Sequence, residues 1–496
     1  MAIEPVFGNI RVSGKIEIPA ETVKAECKTE IPTDTVIKVL DVNAFCGGVS
    51  SNDQPLKLSG TVIFTAVFNA VGGKVKKCEC AQEFSCELNG DVEGKTFIPS
   101  VSVVKTSADT SGSRLTLSAI IKVGGTAYEY KDVQLLTGGD GIITDGEEKT
   151  VYKSSGIKQS NFPVEEEFAF PYEIAEVLSQ QANAVVKEVQ SGVGAIIVDG
   201  EVYASALLLQ NSENGDIIKE EKVLPFRFEI ECDDAMPKNV ATAGVSVKSI
   251  RSDVSVDPET GKSTANVLIL LSAYGECFAE ETVETVSDAF SVNEQTELAF
   301  SQAEFVVPTA VKTVKRAVSG RCPTGIPAGA SVVAVTNENA EITSLKTDKA
   351  VNVAGVYSVK VFFKDADGKT GSVVMETPFE FNDEKADSSE TVEVKLSANG
   401  GRVRPITENE SEISGDVIVT EKRYKTQKVK FASSIVSCGE KPACKSAVSV
   451  YIPLEGESMF SLSKRLNVLP DELAETNKEL TFPLTGKERI VVYRQK

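Results

Sequence analysis

The sequence contains no histidine and no tryptophan among its 496 residues. Without histidine there is no Ser-His-Asp triad, no Cys-His pair and no zinc site with histidine ligands. Histidine is also the commonest general base near neutral pH. Enzymes that rely on carboxylates or lysine stay open, but no carboxylate pair stands out among 72 acidic residues. We therefore expect a non-enzymatic protein, with no catalytic residue and no cofactor.

Long apolar runs are also missing. No stretch approaches the ~20 apolar residues that a membrane-spanning helix needs, so we expect no transmembrane segment. The residues from Met1 to Gly8 have neither the basic region nor the apolar region of a signal peptide, which predicts a cytoplasmic protein. The formal net charge of −20 disfavours binding to nucleic acid or anionic lipid, because both are polyanions.

The ten cysteines are too sparse for a disulfide scaffold in a chain of this length. Cys78, Cys80 and Cys86 have a spacing that invites comparison with a metal site. On a strand, however, they share one face with Phe84 and Leu88. We interpret this face as part of a core, and we predict no metal site.

Three other short motifs have simple structural interpretations. Gly261–Thr264 resembles the end of a phosphate-binding loop, but Val256 stands where that loop needs glycine, so we predict a β-turn over the preceding residues, which begin at Asp257. Asp365–Gly368 resembles the start of a calcium loop, but its glycine comes too early, so we predict a hairpin turn. Cys438 and Cys444 are compatible with a bridge or cross-link, or with free thiols in a loop.

One hairpin pattern occurs three times. Each copy opens with glycine, continues through alternating apolar residues to a turn rich in Asn, Asp and Gly, and returns to a phenylalanine. The opening and closing residues are Gly60 and Phe84, Gly200 and Phe226, and Gly355 and Phe379. Proline precedes the phenylalanine in the second and third copies only. A β-branched segment precedes each hairpin, and a second strand-rich half follows it.

These repeats predict a mainly β protein. We place three tandem modules at 10–145, 150–292 and 293–440, each an antiparallel β-sandwich or open barrel. The polar, glycine-rich segment 137–149 is typical of a linker between the first two modules. Residues 172–189 are compatible with one short helix.

The C-terminal segment 447–494 has a different pattern. Ser458 is a suitable N-cap, and Pro470 ends the helix that follows. The predicted elements are a strand at 448–453, a helix at 459–466, a second helix at 471–477 and a closing strand at 489–493.

This segment resembles the LysM module, in which a strand, the residues Gly-Asp-Thr-Leu, two short helices and a final strand follow one another. The matching positions are Gly456, Glu457, Ser458, Met459, Leu462, Leu466, Leu473, Asn477, Gly486 and Ile490. Glu457 and Ser458 are conservative departures from Asp and Thr. The resemblance implies a small α+β module of βααβ order.

The LysM resemblance also implies a binding groove between two loops, 456–460 and 480–484. The candidate contacts are Gly456, Glu457, Ser458, Met459, Phe460, Leu480, Phe482 and Leu484. Met459 and Phe460 are equally compatible with the core of the small module. LysM modules bind glycans that contain N-acetylglucosamine, such as peptidoglycan. The absence of tryptophan, a frequent sugar-stacking residue, favours a protein ligand instead.

The three hairpin repeats resemble the SPOCS modules of SipL-type proteins, which combine such repeats with a terminal LysM module. This resemblance implies a structural adaptor in spore coat assembly, located in the mother cell at the forespore surface. Its LysM module would bind a spore morphogenetic ATPase or another coat protein, and its β modules would form a relay or a self-associating platform. The alternatives are a cell-wall or cortex protein that binds peptidoglycan, and a carboxylate-dependent hydrolase with a LysM targeting module.

Overall fold

The computed structural model describes residues 3–31, 36–111, 113–212, 215–348, 350–384, 387, 389–442 and 447–493. Over this part of the chain the protein is mainly β, with antiparallel sheets and two short helices, as the sequence predicted. Cys444, which the sequence pairs with Cys438 as a possible bridge, lies outside the described residues. Cys438 itself is exposed.

The strands form three successive groups, which we call the first, second and third repeats. The first repeat contains β1 (Glu4–Glu30), β2 (Val36–Asp53), β3 (Leu56–Ala70), β4 (Val75–Glu87), β5 (Thr96–Ser111) and β6 (Arg114–Asp140). The second contains β7 (Ile143–Ser154), β8 (Lys158–Phe170), β9 (Ile174–Ser191), β10 (Ala195–Gln210), β11 (Ile217–Glu231), β12 (Val240–Val256) and β13 (Ser263–Phe290). The third contains β14 (Glu294–Pro323), β15 (Ser331–Lys346), β16 (Ala350–Lys364), β17 (Thr370–Glu384), β18 (Thr391–Pro405) and β19 (Glu410–Glu440).

A smaller group of elements follows, which we call the C-terminal unit. It contains β20 (Val448–Tyr451), α1 (Met459–Leu466), α2 (Pro470–Thr476) and β21 (Ile490–Tyr493). The two strands pair in antiparallel fashion. The order strand, helix, helix, strand agrees with the order predicted from the sequence.

The same topology occurs in all three repeats. In the first, the sheets have the orders β1-β6-β5 and β2-β3-β4, and in the third the orders are β14-β19-β18 and β15-β16-β17. The second repeat differs in one respect, because its first long strand is interrupted. Both β7 and β8 pair with β13, and together they take the place that β1 has in the first repeat.

The repeated glycine and phenylalanine of the hairpins lie directly opposite each other. The cross-strand pairs are Gly60 with Phe84, Gly200 with Phe226, and Gly355 with Phe379. In each pair the phenylalanine ring lies over the glycine, and a Cβ atom added to the glycine would be 2.8, 2.3 or 2.4 Å from that ring. The sequence spacing is therefore the register of the hairpin, and the aromatic ring fills the space that the missing side chain leaves.

Each repeat has its own apolar core, and both of its sheets contribute to it. In the first repeat, Leu58 and Phe64 of β3 face Leu117 of β6 across this core. The partly buried thiols of Cys78 and Cys80 pack against the same core. The interpretation of these cysteines as a strand face in the core is confirmed.

Two local predictions are wrong. Residues 172–189 are mostly in strand β9, because pairing with β10 and burial of Leu178 and Val185 outweigh the helix-favouring composition of the segment. The proposed linker 137–149 lies in β6 and β7, with only two residues between these strands. Gly139 is needed there for a close approach of strands, since an added Cβ would be 2.3 Å from the Glu4 carbonyl oxygen.

The three repeats pack against one another around common apolar clusters. One cluster, which we call the axial cluster, draws residues from every repeat. Its buried members are Leu40, Val67 and Val75 of the first repeat, Leu178, Leu207 and Ile217 of the second, and Ala334 and Phe362 of the third. Two further clusters combine the long strands of all three repeats. The repeats are therefore parts of one body, which the sequence pattern did not indicate.

A polar contact between the repeats lies beside a cavity of about 1410 Å³. Asn337 of the third repeat donates hydrogen bonds of 2.9 Å to both carboxylate oxygens of Asp41 in the first. Gln181 of the second repeat donates a hydrogen bond of 2.7 Å to the amide oxygen of Asn337. Burial raises the pKa of Asp41, and Lys360 lies 3.5 Å away and partly compensates its charge. One side chain from each repeat thus fixes their relative positions.

Glu276 is a second buried carboxyl group where two repeats meet. It lies on β13 and accepts a hydrogen bond from Ser154 of the same repeat. The Tyr130 hydroxyl of the first repeat donates a hydrogen bond of 3.4 Å to it. Burial raises the pKa of Glu276, because the ionised form loses more solvation than these two hydrogen bonds restore.

We expect Glu276→Gln to raise the melting temperature at pH 7 by a few degrees and to have little effect at pH 4. A carboxyl group whose pKa is raised by folding contributes fully to stability at pH values below its pKa in the unfolded chain. This contribution is lost as the pH rises through its pKa in the folded protein. Glutamine keeps the shape without the charge. Thermal unfolding at both pH values checks this, with the exposed Glu280→Gln on the same strand as control. Equal changes in melting temperature at pH 7 and pH 4 would show that the effect does not come from the ionisation of Glu276.

Candidate partner-binding site on the C-terminal unit

The first helix of the C-terminal unit has well-defined ends. Ser458 is its N-cap and accepts a hydrogen bond of 3.1 Å from the Ser461 backbone, while the Ser461 hydroxyl accepts one from the Ser458 backbone. Asn467 ends the helix in the left-handed conformation, and Pro470 occupies the first turn of α2. The predicted cap and helix break are both confirmed.

The leucines of the pattern form the core of the unit. The buried members of this core are Leu462, Leu466, Val468, Leu473, Leu484, Ile490 and Val492. They come from both helices, from the turn between the helices, from the second loop and from β21. The helices therefore cover one face of the two-stranded sheet, and within the described ranges nothing covers the other face.

Glu457, a predicted groove contact, is used inside the unit. Its carboxylate is buried and accepts hydrogen bonds of 2.7 and 2.8 Å from the Arg465 guanidinium. It also accepts a hydrogen bond of 2.9 Å from the Leu454 backbone. The bond to Arg465 lowers the pKa of Glu457. This side chain holds the first loop in place and has little capacity for an external ligand.

The two loops of the predicted groove are brought together. The Gly456 N–H donates a hydrogen bond of 2.7 Å to the Leu484 carbonyl, and the Leu484 N–H donates one of 3.2 Å to the Glu457 carbonyl. Leu484 is buried in the core, whereas Leu480 and Phe482 are half-buried against it. Met459 has the same half-buried position, while Gly456 and Ser458 are exposed.

Phe460, another predicted contact, faces the rest of the protein. Its ring packs edge-on against Phe290 at the end of β13, with 5.4 Å between ring centroids. The Lys464 ammonium lies 2.6 Å from the Asp288 carboxylate, and Asn467 donates a hydrogen bond of 2.8 Å to the Val292 carbonyl. The C-terminal unit is therefore docked on the end of the second repeat through α1.

An apolar surface that the sequence did not predict lies on the uncovered face of the two-stranded sheet and on the segment directly after β20. We call it the apolar row, and it consists of Val448, Val450, Ile452, Leu454 and Tyr493. These side chains are between 54% and 70% exposed. Val448 lies opposite Tyr493 in the sheet, and Val450 lies opposite Val491.

Other kinds of site are not supported in the described part of the chain. There, no group of three or more Cys, Asp or Glu side chains is arranged to hold a metal ion. No helix within the described ranges is long and apolar enough to cross a membrane. Comparison with protein-family models, curated proteins and solved structures finds no match to this chain. The functional argument therefore rests on the molecule itself.

Proposed function

We propose that this protein is a non-enzymatic structural adaptor of the SipL type, which acts in spore envelope assembly. In this proposal the three repeats are SPOCS-like β-sandwich modules, and the C-terminal unit is a LysM-type module that binds a spore morphogenetic ATPase. The protein would act in the cytoplasm of the mother cell, at the surface of the forespore.

The apolar row is the observation that carries this proposal. Three apolar side chains project from one small sheet and two more from the segment directly after β20, in a protein whose net charge is −20. Exposed apolar patches rimmed by polar residues are typical of protein-binding surfaces. The docking of α1 on the second repeat leaves this sheet face uncovered, because α1 lies on the other side of the sheet.

The chemistry of the row favours a protein partner over a glycan. Of its five members, only Tyr493 has a side chain that forms hydrogen bonds, and glycan binding depends on such bonds to hydroxyl and acetamido groups. Two groove residues named by the LysM resemblance, Glu457 and Leu484, are already used for internal contacts. These points support an adaptor more than a peptidoglycan-binding protein.

A binding experiment with the full chain tests the proposal. We expect Val450→Glu to weaken binding to the spore morphogenetic ATPase at least tenfold, which corresponds to about 1.4 kcal/mol. Burying a carboxylate against an apolar partner surface costs at least that much. Val450 points away from the core of the unit, so the variant should fold, whereas Phe482→Ala would also weaken that core. Biolayer interferometry at constant salt is a suitable measurement.

The matched control is Val193→Glu, which changes an even more exposed valine in the turn between β9 and β10. It should bind the ATPase as the wild type does. Peptidoglycan sedimentation and light scattering complete the test. If the protein binds peptidoglycan saturably, glycan fragments inhibit this binding and no binding to the ATPase is found, the adaptor proposal is wrong. The cell-wall alternative would then be favoured. A dimer that Val450→Glu dissociates would assign the row to self-association.

A further inference from the structure

The first repeat contains two thiols that face each other from different sheets. Cys27 lies on β1 and Cys80 on β4, and each of these strands is at the edge of its sheet. Both side chains point into the space between the sheets and pack, half-buried, against the core. The Cys27 sulfur lies 3.8 Å from the carbonyl oxygen of Ala81, the residue that follows Cys80. Burial raises the pKa of Cys80, and the nearby Cys27 thiol raises it further.

The same place in the other repeats is occupied differently. Cys80, Lys222 and Met375 each stand four residues before the closing phenylalanine of their hairpin. In the second repeat Lys222 lies over the ring of Phe168, 5.6 Å from its centroid. In the third repeat the Cys322 thiol donates a hydrogen bond of 3.8 Å to the Ser411 carbonyl oxygen. Burial raises the pKa of this thiol, and the nearby backbone of Glu376, next to Met375, partly offsets that rise. The first long strand therefore places a cysteine, Cys27 or Cys322, beside this hairpin position in the first and third repeats. Only in the first repeat is the hairpin residue, Cys80, also a cysteine.

We propose that Cys27 and Cys80 form an intramolecular disulfide when the protein meets an oxidising low-molecular-weight disulfide. The bond would join β1 to β4 and so link the two sheets of the first repeat. The oxidised form of the protein would then hold the two sheets of the first repeat together more firmly than the reduced form does. This inference does not depend on the proposed adaptor function.

The reaction is a thiol–disulfide exchange in two steps. The Cys27 thiolate attacks one sulfur of the small disulfide, which releases one small thiolate and leaves a mixed disulfide on Cys27. The Cys80 thiol then gives up its proton and attacks the Cys27 sulfur, which releases the second small thiolate. The protein loses two hydrogen atoms, and the small disulfide is reduced to two thiols. Burial raises the pKa of Cys80, which makes it the resolving group and not the first nucleophile.

The test uses the full chain, treated with glutathione disulfide at pH 8. Free thiols are then alkylated, and the protein is digested without reduction for mass spectrometry. We expect a peptide pair joined through Cys27 and Cys80, and a melting temperature higher by roughly 5 °C. Dithiothreitol should reverse both changes. Unchanged thiol content, or a bond from Cys27 to Cys78 instead of Cys80, would overturn the proposal.

Three variants make the result specific. Cys80→Ser should abolish the linked peptide and the thermal shift. Cys86→Ser changes a half-buried thiol on the same face of β4, and it should leave both unchanged. Met375→Cys places a second thiol beside Cys322 in the third repeat, and it should create one additional bond under the same conditions. If Met375→Cys forms no bond with Cys322, the positions in the first and third repeats are not equivalent. This test remains informative even if Cys80→Ser does not fold.

Discussion

Gly200→Ala is expected to lower the free energy of unfolding by about 3 kcal/mol or more. The added Cβ would lie 2.3 Å from the Val185 carbonyl oxygen and 2.3 Å from the Phe226 ring. The ring can rotate only at the expense of its packing in the core, and the carbonyl belongs to the neighbouring strand β9. The strands must therefore separate locally. Urea denaturation of the full chain, followed by circular dichroism, measures the loss.

Gly60→Ala in the first repeat is the matched control. There the nearest atoms to an added Cβ are in the Phe84 ring, at 2.8 and 2.9 Å, and the nearest backbone atom is the Gly47 oxygen at 3.2 Å. A side-chain ring shifts more easily than a strand backbone, so we expect a loss of about 1 kcal/mol. Equal losses in the two variants would show that the backbone contact is not the decisive one.

Phe362→Ala is expected to destabilise the protein by about 3–5 kcal/mol. Phe362 is 0% exposed and lies in the axial cluster with residues from all three repeats. Its removal leaves a cavity where the repeats meet. We therefore expect faster amide hydrogen exchange in β2 and β9 of the other repeats, as well as in β16 itself.

Val374→Ala is the control for this prediction, because Val374 lies on the adjacent strand β17 and is 54% exposed. Its effect should stay within about 0.5 kcal/mol. Faster exchange confined to the third repeat in Phe362→Ala would mean that the repeats open independently. A shared response would mean that the axial cluster couples them.

The hairpins were predictable because their signals are local. Glycine and phenylalanine recur at a nearly constant spacing, and the turns between them contain Asn, Asp and Gly. Both features follow from the cross-strand register, because the length and type of the turn fix which residues of a hairpin lie opposite each other. The predicted hairpin turn at Asp365 is confirmed, since the backbone N–H of Gly368 bonds to the Asp365 carbonyl. A turn is also present at Asp257, but the N–H of Gly261 bonds to the Asp257 carbonyl four residues before it, so this turn is one residue wider than a β-turn.

The C-terminal unit was predictable in its elements but not in its surface. Capping at Ser458, the break before Pro470 and the leucine core depend on neighbours along the chain. The positions of Phe460 and of the apolar row depend instead on what lies beside them in space. Phe460 is covered by Phe290, which is far away in sequence, and Val450 is exposed because none of the described elements packs on its side of the sheet.

The sequence alone determined the β class, the threefold repetition, the hairpin register and the helix ends of the C-terminal unit. Each of these depends on backbone periodicity, turn chemistry or the next pairing strand. Tertiary structure alone decided that β9 is a strand, that the three repeats share the axial cluster, and that Cys27 faces Cys80. These contacts join residues far apart in the chain, and their free energy comes from burial that exists only once the sheets have packed.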